Sequence, residues 1–287
     1  MTRFPLMALV AAGLAFALPG AQASAQTARQ LFAAKSTPSP HDPYSIGQAS
    51  RGCLAGGVQL PESGPTWQAM RLGRNHHWGN PAMIEFIEEL SRAATRAGWK
   101  GLYVGDIGQA RGGPVPGHAS HQIGLDVDVW LTPPPRLDLS RSERERVSAT
   151  SVLAGNKTSL NRNWTPSHAA LTEAIARDPR VNRIFITPPV KLALCASAGP
   201  GDAAWLRKVR PWWDHTDHWH IRLNCPKGAP GCVDQTPLPP GDGCKEAIWW
   251  VTDALLPPDP DAPKTPPKPP LRLADLPPQC AAVLEAR

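Results

Sequence analysis

Charged residues are scarce in this sequence, and residues that interrupt regular structure are abundant. Only 19% of the 287 residues are charged, whereas the chain contains 34 prolines and 24 glycines. Proline and glycine both cost free energy inside helices and strands, so much of the chain is expected to form loops. The hydrophobic fraction of 41% still allows a chain of this length to bury a core. This composition favours an irregular α+β domain over a helical bundle.

Long hydrophobic runs are absent after residue 25. The N-terminus carries Arg3, then an apolar run at Leu6–Leu18, and then the small residues Ala23-Ser24-Ala25. This order is typical of a secretory signal, and the run is too short to cross a membrane. We therefore expect a cleaved signal peptide at residues 1–25, a periplasmic protein and no integral membrane segment.

The sequence also lacks C-x-x-C pairs, which argues against a thiol redox motif or a thiolate zinc ribbon. An even number of cysteines in an exported chain favours disulfides, so the six cysteines predict three of them. The residues alone suggest only one pair, Cys225 with Cys232, because these two flank a short loop of glycine and proline. The cysteines are Cys53, Cys195, Cys225, Cys232, Cys244 and Cys280.

Several familiar catalytic motifs are missing as well. The sequence contains no G-x-S-x-G elbow, no S-x-x-K and no H-E-x-x-H helix. With all cysteines paired, no thiol is left to act as a nucleophile. These absences disfavour serine and cysteine hydrolases, and they exclude the zinc peptidases that use a helical glutamate as the base.

What the sequence does contain is two histidine-rich clusters that lie far apart in the chain. In the first, Gly117–Asp128, the residues Ile123, Leu125 and Val127 alternate with other residues as on a strand with one buried face. In the second, His215–His220, two histidines stand two positions apart and would point the same way on a strand. Imidazole and carboxylate suit Zn²⁺. We predict that the two clusters meet and hold one metal ion, with a histidine as the base.

The chain between and around the clusters predicts helices and strands. Asn80-Pro81 is typical of a helix start, and apolar residues at spacings of three and four predict a helix from Pro81 to Ala97. Strands are predicted at Leu102–Val104 and Trp219–Leu223. We therefore expect an α+β fold in which a small central antiparallel sheet carries the metal site. Helices and long disulfide-stapled loops flank that sheet.

Residues 26–287 show no internal repeat and are predicted to form a single domain. Prolines concentrate in a tail at about residues 257–279, which favours extended polyproline II structure. Cys280 follows this tail, so we expect the tail to be stapled onto the domain. The net charge of +6 indicates an anionic partner, and outside the cytoplasm the cell wall is more probable than nucleic acid. An ordinary basic surface without a specific partner explains the charge equally well.

The two clusters resemble the zinc peptidases that include lysostaphin, the D-Ala-D-Ala peptidases and the hedgehog signalling domain. The shared pattern is H-x6-D with a distant H-x-H, which here is His121 to Asp128 and His218-Trp219-His220. From about residue 50 to 280, further motifs resemble the penicillin-insensitive murein endopeptidases. These motifs are Gly105-Asp106-Ile107-Gly108, Arg111-Gly112-Gly113, residues 206–212 and residues 239–244.

This resemblance implies a role for each histidine of the clusters. It implies Zn²⁺ as the cofactor, with His121, Asp128 and His220 as its ligands. His218 would be the general base or would stabilise the transition state. The extra histidines of the family correspond to His118 and His215, which would bind substrate or a second metal ion. The implied disulfides are Cys53–Cys280, Cys195–Cys244 and Cys225–Cys232.

The implied reaction is zinc-dependent hydrolysis of the D-alanyl–meso-diaminopimelyl amide cross-link of peptidoglycan. Arg74, Arg111 and Arg222 are candidate partners for carboxylates of the stem peptide. Two alternatives stay open: a D,D- or L,D-carboxypeptidase that acts on stem peptides, and a non-catalytic zinc-bound module that binds the cell wall. Retention of His218 argues against the second alternative, because a pure binding module does not need a base.

Overall fold

A computed structural model of the protein describes residues 26–257 and 266–287. The predicted signal peptide at residues 1–25 lies outside the described residues, and so does the part of the proline-rich tail at residues 258–265. None of the helices in the two described ranges combines the length and the apolar character that a membrane crossing requires.

The structure contains both helices and strands, in an irregular order along the chain. The helices are α1 (Ala28–Ala33), α2 (Pro81–Arg96), α3 (Arg141–Arg146), α4 (Pro166–Arg177), α5 (Pro188–Ser197), α6 (Ala203–Leu206), α7 (Cys244–Val251) and α8 (Gln279–Glu285). The strands are β1 (Tyr44–Gln48), β2 (Arg51–Ala55), β3 (Val58–Gln59), β4 (Ser63–Gly64), β5 (Trp67–Ala69), β6 (Trp78–Gly79), β7 (Leu102–Val104), β8 (Asp126–Trp130), β9 (Val181–Ile186), β10 (Val209–Pro211) and β11 (His218–Leu223).

The main sheet is larger than predicted and is not purely antiparallel. It has seven strands in the order β10-β9-β11-β8-β7-β5-β4. The central pairs from β9 to β7 are antiparallel, but β10 pairs with β9 and β5 pairs with β7 in parallel. The prediction of a small antiparallel sheet was therefore wrong. Helix α2 connects β5 to β7, and helices α5 and α6 connect β9 to β10, and such helical crossovers produce parallel pairs.

The structure confirms the predicted helix that begins at Pro81. The side chain of Asn80 caps its first turn by accepting a hydrogen bond from the backbone N–H of Ala82 at 3.1 Å. The helix ends at Arg96, one residue before the predicted end. Its apolar stripe is buried and packs in the main core at Ile84, Ile87, Leu90 and Ala94.

Strand β11 separates the main core from the face that carries the histidines. Trp219, Ile221 and Leu223 are buried in the core. The indole N–H of Trp219 donates to the hydroxyl of Thr172 on α4 at 2.9 Å. Because side chains alternate along a strand, His218 and the residues in step with it point to the opposite face of the sheet. The core packing of this strand therefore fixes the direction of the candidate site residues.

Three disulfides join the chain in the pairing that the family resemblance implied: Cys53–Cys280, Cys195–Cys244 and Cys225–Cys232. The first of them fixes the C-terminal helix α8 to β2, inside a second small core that α1 also contacts. Arg111 reinforces this attachment, since its guanidinium donates to the carbonyl oxygens of Val283, Leu284 and Ala286. The end of the chain is thus stapled to the domain as expected.

Replacing Cys53 and Cys280 together by alanine is expected to lower the free energy of unfolding by about 2–5 kcal/mol, because it opens a very long covalent loop. Urea unfolding under oxidising conditions measures this change. The matched control replaces Cys225 and Cys232, which are only seven positions apart, and should cost less. Equal or smaller destabilisation by the first pair would contradict the expected role of the C-terminal staple.

Candidate metal centre

The two histidine-rich clusters meet on the central strands of the main sheet. Strands β8 and β11 are antiparallel neighbours, and their register places His220 opposite Asp128 and Arg222 opposite Asp126. His218 lies on the same face of β11, two positions before His220. The prediction that the two clusters come together is confirmed.

His121 reaches the cluster from the loop that precedes β8. Its backbone adopts a left-handed conformation with φ of 65°, and its side chain is fully buried. Nδ1 lies 2.9 Å from the carbonyl oxygen of Ile107, an acceptor that holds the proton on this nitrogen. Nε2 is thereby directed at the Asp128 carboxylate, 3.3 Å from Oδ1. The same loop passes close to the start of α2. At Gly124 there is no room for a side chain, since a Cβ atom there would lie 2.8 Å from the backbone nitrogen of Asn80.

Asp126 forms hydrogen bonds with His220, with Arg222 and with the backbone of His121. Its Oδ1 lies 2.7 Å from Nε2 of His220 and also accepts a hydrogen bond of 2.7 Å from Nε of Arg222. Its Oδ2 accepts from the backbone N–H of His121 at 3.3 Å. His220 therefore keeps its proton on Nε2 and turns the lone pair of Nδ1 towards Asp128, 3.7 Å from Oδ1.

Two further imidazoles approach Asp128, and each has a carboxylate behind it. Nδ1 of His218 lies 2.7 Å from Oδ1 of Asp217, and its Nε2 lies 3.7 Å from Oδ1 of Asp128. Nε2 of His118 lies 2.8 Å from Oδ2 of Asp106, and its Nδ1 lies 3.7 Å from Oδ2 of Asp128. In both histidines the outer nitrogen is hydrogen-bonded, which leaves the inner nitrogen free to face the cluster.

Two buried polar atoms that face each other in the cluster lack a hydrogen bond, Nε2 of His121 and Oδ1 of Asp128, and Oδ1 of Asp106 behind His118 lacks one as well. Buried polar groups are nearly always satisfied, so such a facing pair calls for a missing partner. Within the described ranges, ligand atoms of His118, His121 and Asp128 lie within 4.8 Å of one another, as in a metal site. His220 is not in this closest set, although its Nδ1 also faces Asp128. The donor set of imidazole and carboxylate fits a metal ion.

The charges of the cluster are consistent with metal ligands. Burial disfavours ionisation of Asp126 and Asp128, but the cationic groups around them hold the pKa of both carboxyls far below the usual range. Burial and the neighbouring His121 lower the pKa of His220 to about 4, so that its Nδ1 stays unprotonated. Burial also opposes a charge on His121, but Asp128 raises the pKa of this histidine to about 9. The Asp128 carboxylate therefore favours a positive charge beside His121.

His215 lies at the rim of the cluster. Its Nδ1 is hydrogen-bonded to the carbonyl oxygen of Trp213, and its ring centroid lies 5.0 Å from that of His218. Burial lowers its pKa. The ring of Phe185 lies 5.1 Å from His220 and 5.8 Å from Trp212, so an exposed aromatic surface continues outward from the site.

The three arginines that the sequence offered as carboxylate partners have different surroundings. Arg111 is buried and holds backbone carbonyls of the C-terminal helix, so it does not reach the site. Arg222 is buried beneath the cluster and bound to Asp126. Arg74 has a side chain that is 53% exposed, and its Nη1 lies 3.0 Å from Oδ2 of Asp106. Of the three, only Arg74 is both accessible and next to the cluster.

Sequence reasoning did not identify the carboxylates that orient the histidines. Asp106 was noted only as part of a motif, and Asp217 only as part of the second cluster. Asp126 stands outside the H-x6-D pattern and is expected to support the ligands or the fold, and the structure shows that it binds His220 directly. The signal for Asp217 was its position beside His218. No spacing rule connects Asp106 with His118, because a loop brings them together.

The fold and the cluster first define the class of the protein. A sheet that carries buried imidazoles and carboxylates with unsatisfied ligand atoms is compatible with a bound metal ion. Together with the match to a peptidase family, it makes the protein a metallopeptidase. Sequence comparison then gives the family. The family model described as penicillin-insensitive murein endopeptidase matches residues 45–285, so the chain belongs to that family.

Curated relatives that carry this name align with most of the chain. The protein of Klebsiella pneumoniae subsp. pneumoniae is 40% identical over 243 residues, which cover 84% of this chain and 86% of the relative. The protein of Haemophilus influenzae is 40% identical over 231 residues, covering 78% and 79%. The protein of Escherichia coli is 38% identical over 251 residues, covering 86% and 88%. The alignments thus span the described cluster from end to end.

Replacing Asp126 by asparagine is expected to weaken the affinity for added Zn²⁺ about 10- to 100-fold. The amide has no negative charge and only one acceptor oxygen, so it cannot keep the contacts of both carboxylate oxygens with His220, Arg222 and the His121 backbone. A competition titration with a zinc chelator measures this affinity. The matched control is Asp178→Asn, which removes a carboxylate 2.7 Å from Arg180 and outside the cluster. Unchanged affinity in a folded Asp126→Asn protein would refute the positioning role of Asp126.

Proposed function

We propose that the protein is a zinc-dependent murein endopeptidase that hydrolyses the D-alanyl–meso-diaminopimelyl amide cross-link of peptidoglycan. The observation that carries this proposal is the facing pair of buried ligand atoms, His121 Nε2 and Asp128 Oδ1, 3.3 Å apart and without hydrogen bonds. Membership in the murein endopeptidase family supports the reaction and the substrate class.

The proposed zinc ligands are Nε2 of His121, Oδ1 of Asp128 and Nδ1 of His220. The opposite nitrogen of each histidine is hydrogen-bonded, in His121 to the carbonyl oxygen of Ile107 and in His220 to Asp126. Such bonds fix the tautomer and the direction of a ligating imidazole. Three protein ligands leave a coordination position for water or substrate, as in other catalytic zinc sites.

His218 is the proposed general base. When bound, zinc polarises the scissile carbonyl and lowers the pKa of water at the site. His218 keeps its proton on Nδ1 against Asp217 and presents the lone pair of Nε2 to the cluster. Burial opposes a positive charge on this ring, but Asp128 and Asp217 outweigh it and raise its pKa. The ring is therefore suited to accept a proton and then to stabilise developing negative charge.

His118 and His215 flank the proposed catalytic group on two sides. His118 directs Nδ1 at Oδ2 of Asp128, on the side of Asp106. His215 lies beyond His218, beside the aromatic surface. We assign both to contacts with the substrate or with a further metal ion, which leaves His218 as the base.

The proposed location is the periplasm, where peptidoglycan is accessible and disulfides persist. Three disulfides and no free cysteine in the described ranges fit an oxidising compartment. The signal peptide proposed for residues 1–25 would direct the chain there.

His121→Ala and His218→Ala are both expected to slow the release of monomers from cross-linked muropeptides by at least about 100-fold, for different reasons. His121→Ala should lose zinc, and a chelator should reproduce its effect on the wild-type protein. His218→Ala should retain zinc and lose activity by about 10²- to 10⁴-fold, because only the proton transfer is removed. Mass spectrometry of digests and metal analysis measure the two properties.

The matched control for these variants is His41→Ala, which removes an exposed histidine outside the cluster and should leave both properties unchanged. Full activity of His121→Ala, or of the chelated protein, would rule out the zinc mechanism. Release of single alanines without cleavage of cross-links would show that the protein is a carboxypeptidase and not an endopeptidase. If the wild-type protein binds the cell wall but does not hydrolyse it, the protein is a non-catalytic binding module.

A further inference from the structure

A polar cavity of about 340 Å³ lies next to the cluster, on the side of His118. Lys35 and Arg74 are the cationic residues of its lining, and its lining contains no carboxylate. A cavity with this balance of charge favours an anionic ligand. Its polar lining residues are Lys35, Ser36, Arg74, Asn75, His76 and Gln109.

One carboxylate oxygen connects this cavity to the candidate metal centre. Oδ2 of Asp106 accepts a hydrogen bond of 3.0 Å from Nη1 of Arg74 and lies 2.8 Å from Nε2 of His118. His118 in turn faces Asp128. Pro116, two residues before His118, also lines the cavity. Arg74 is therefore linked to the candidate metal centre through Asp106 and His118.

The cavity has hydrogen-bond donors that the described part of the chain does not use. Only Nη1 of Arg74 is hydrogen-bonded there, which leaves Nε and Nη2 available. His76 is 8% exposed, and its Nδ1 is buried without a hydrogen-bond partner, 3.3 Å from Oδ2 of Asp106. By contrast, the amides of Asn75 and Gln109 already donate to backbone carbonyls. The free donors thus belong to the ammonium of Lys35 and the guanidinium of Arg74, and of these two groups only Arg74 also binds Asp106.

We propose that Arg74 binds the carboxylate that the substrate carries beside the scissile amide, on its amine side, and so selects diaminopimelyl cross-links. This inference rests on the proposed function. In diaminopimelate each carbon that carries an amino group also carries a carboxyl group, so this charge stays at a fixed short distance from the amide nitrogen. Guanidinium groups match the geometry of carboxylates through two parallel N–H donors.

A positioning role is the competing explanation for Arg74. The same guanidinium binds Asp106, and Asp106 orients His118. An arginine that acted only through Asp106 would affect all substrates alike. A substrate contact instead distinguishes substrates that carry the carboxylate from substrates that lack it. The two roles are therefore separated by a change in the substrate.

The test uses two cross-linked peptide dimers that differ only at this carboxylate, one with the free acid and one with the primary amide. The wild-type protein is expected to cleave the free acid with a kcat/KM about 10- to 100-fold higher, the range for a hydrogen bond to a charged group. Arg74→Gln should abolish this preference, mainly through a higher KM for the free acid, and should keep its zinc. The matched control is Arg71→Gln, three residues earlier and directed at Ser148 instead of Asp106, which should keep the preference.

Three results would overturn the inference. Equal cleavage of both dimers by the wild-type protein would show that the carboxylate is not recognised. An equal loss on both dimers in Arg74→Gln would show that Arg74 acts only through Asp106. Cleavage of neither dimer by the zinc-loaded wild-type protein would overturn the proposed function, and this inference with it.

Discussion

The candidate site depends on one strand pairing, in which β8 and β11 lie antiparallel with Asp128 opposite His220. Because side chains alternate along a strand, a shift of one residue in β11 would move His218 and His220 to the other face of the sheet. The register is fixed from the other side, where Trp219 and Ile221 are buried in the main core. The apolar residues of β11 therefore determine the face of the sheet to which His218 and His220 point. The loop that carries His121 packs against this face.

Because the carboxylates of the site are buried, their negative charges need compensating partners. Asp106, Asp126 and Asp128 are all buried, and an isolated buried carboxylate would be strongly unfavourable. The structure places a histidine or arginine against each of them, so each charge has a partner. Two carboxylate oxygens still lack a hydrogen bond, Oδ1 of Asp106 and Oδ1 of Asp128, and the second of these faces Nε2 of His121. A divalent cation between Asp128 and His121 would neutralise the remaining charge there and satisfy both of these facing atoms.

Local signals in the sequence predicted the elements that local interactions determine. Asn80-Pro81 and the apolar stripe predicted α2 to within one residue, and alternation predicted β11. It predicted β8 only in part, because that strand begins at Asp126 and Ile123 and Leu125 lie in the loop before it. The sheet as a whole was not predicted, because parallel pairing depends on where helical crossovers return the chain. The partnership of Asp106 with His118 was also missed, since a loop without a regular period joins them. The disulfides were anticipated through the family resemblance, because spacing alone suggested only Cys225 with Cys232.

The most direct test of the metal centre is a crystal structure of the zinc-loaded protein with anomalous diffraction at the zinc edge. We expect a zinc peak bonded to Nε2 of His121, Oδ1 of Asp128 and Nδ1 of His220, at about 2.0–2.2 Å. The bond between His220 and Asp126 should remain in place. A zinc ion bound elsewhere, or bound through Nε2 of His220 with loss of the Asp126 contact, would contradict the proposed site.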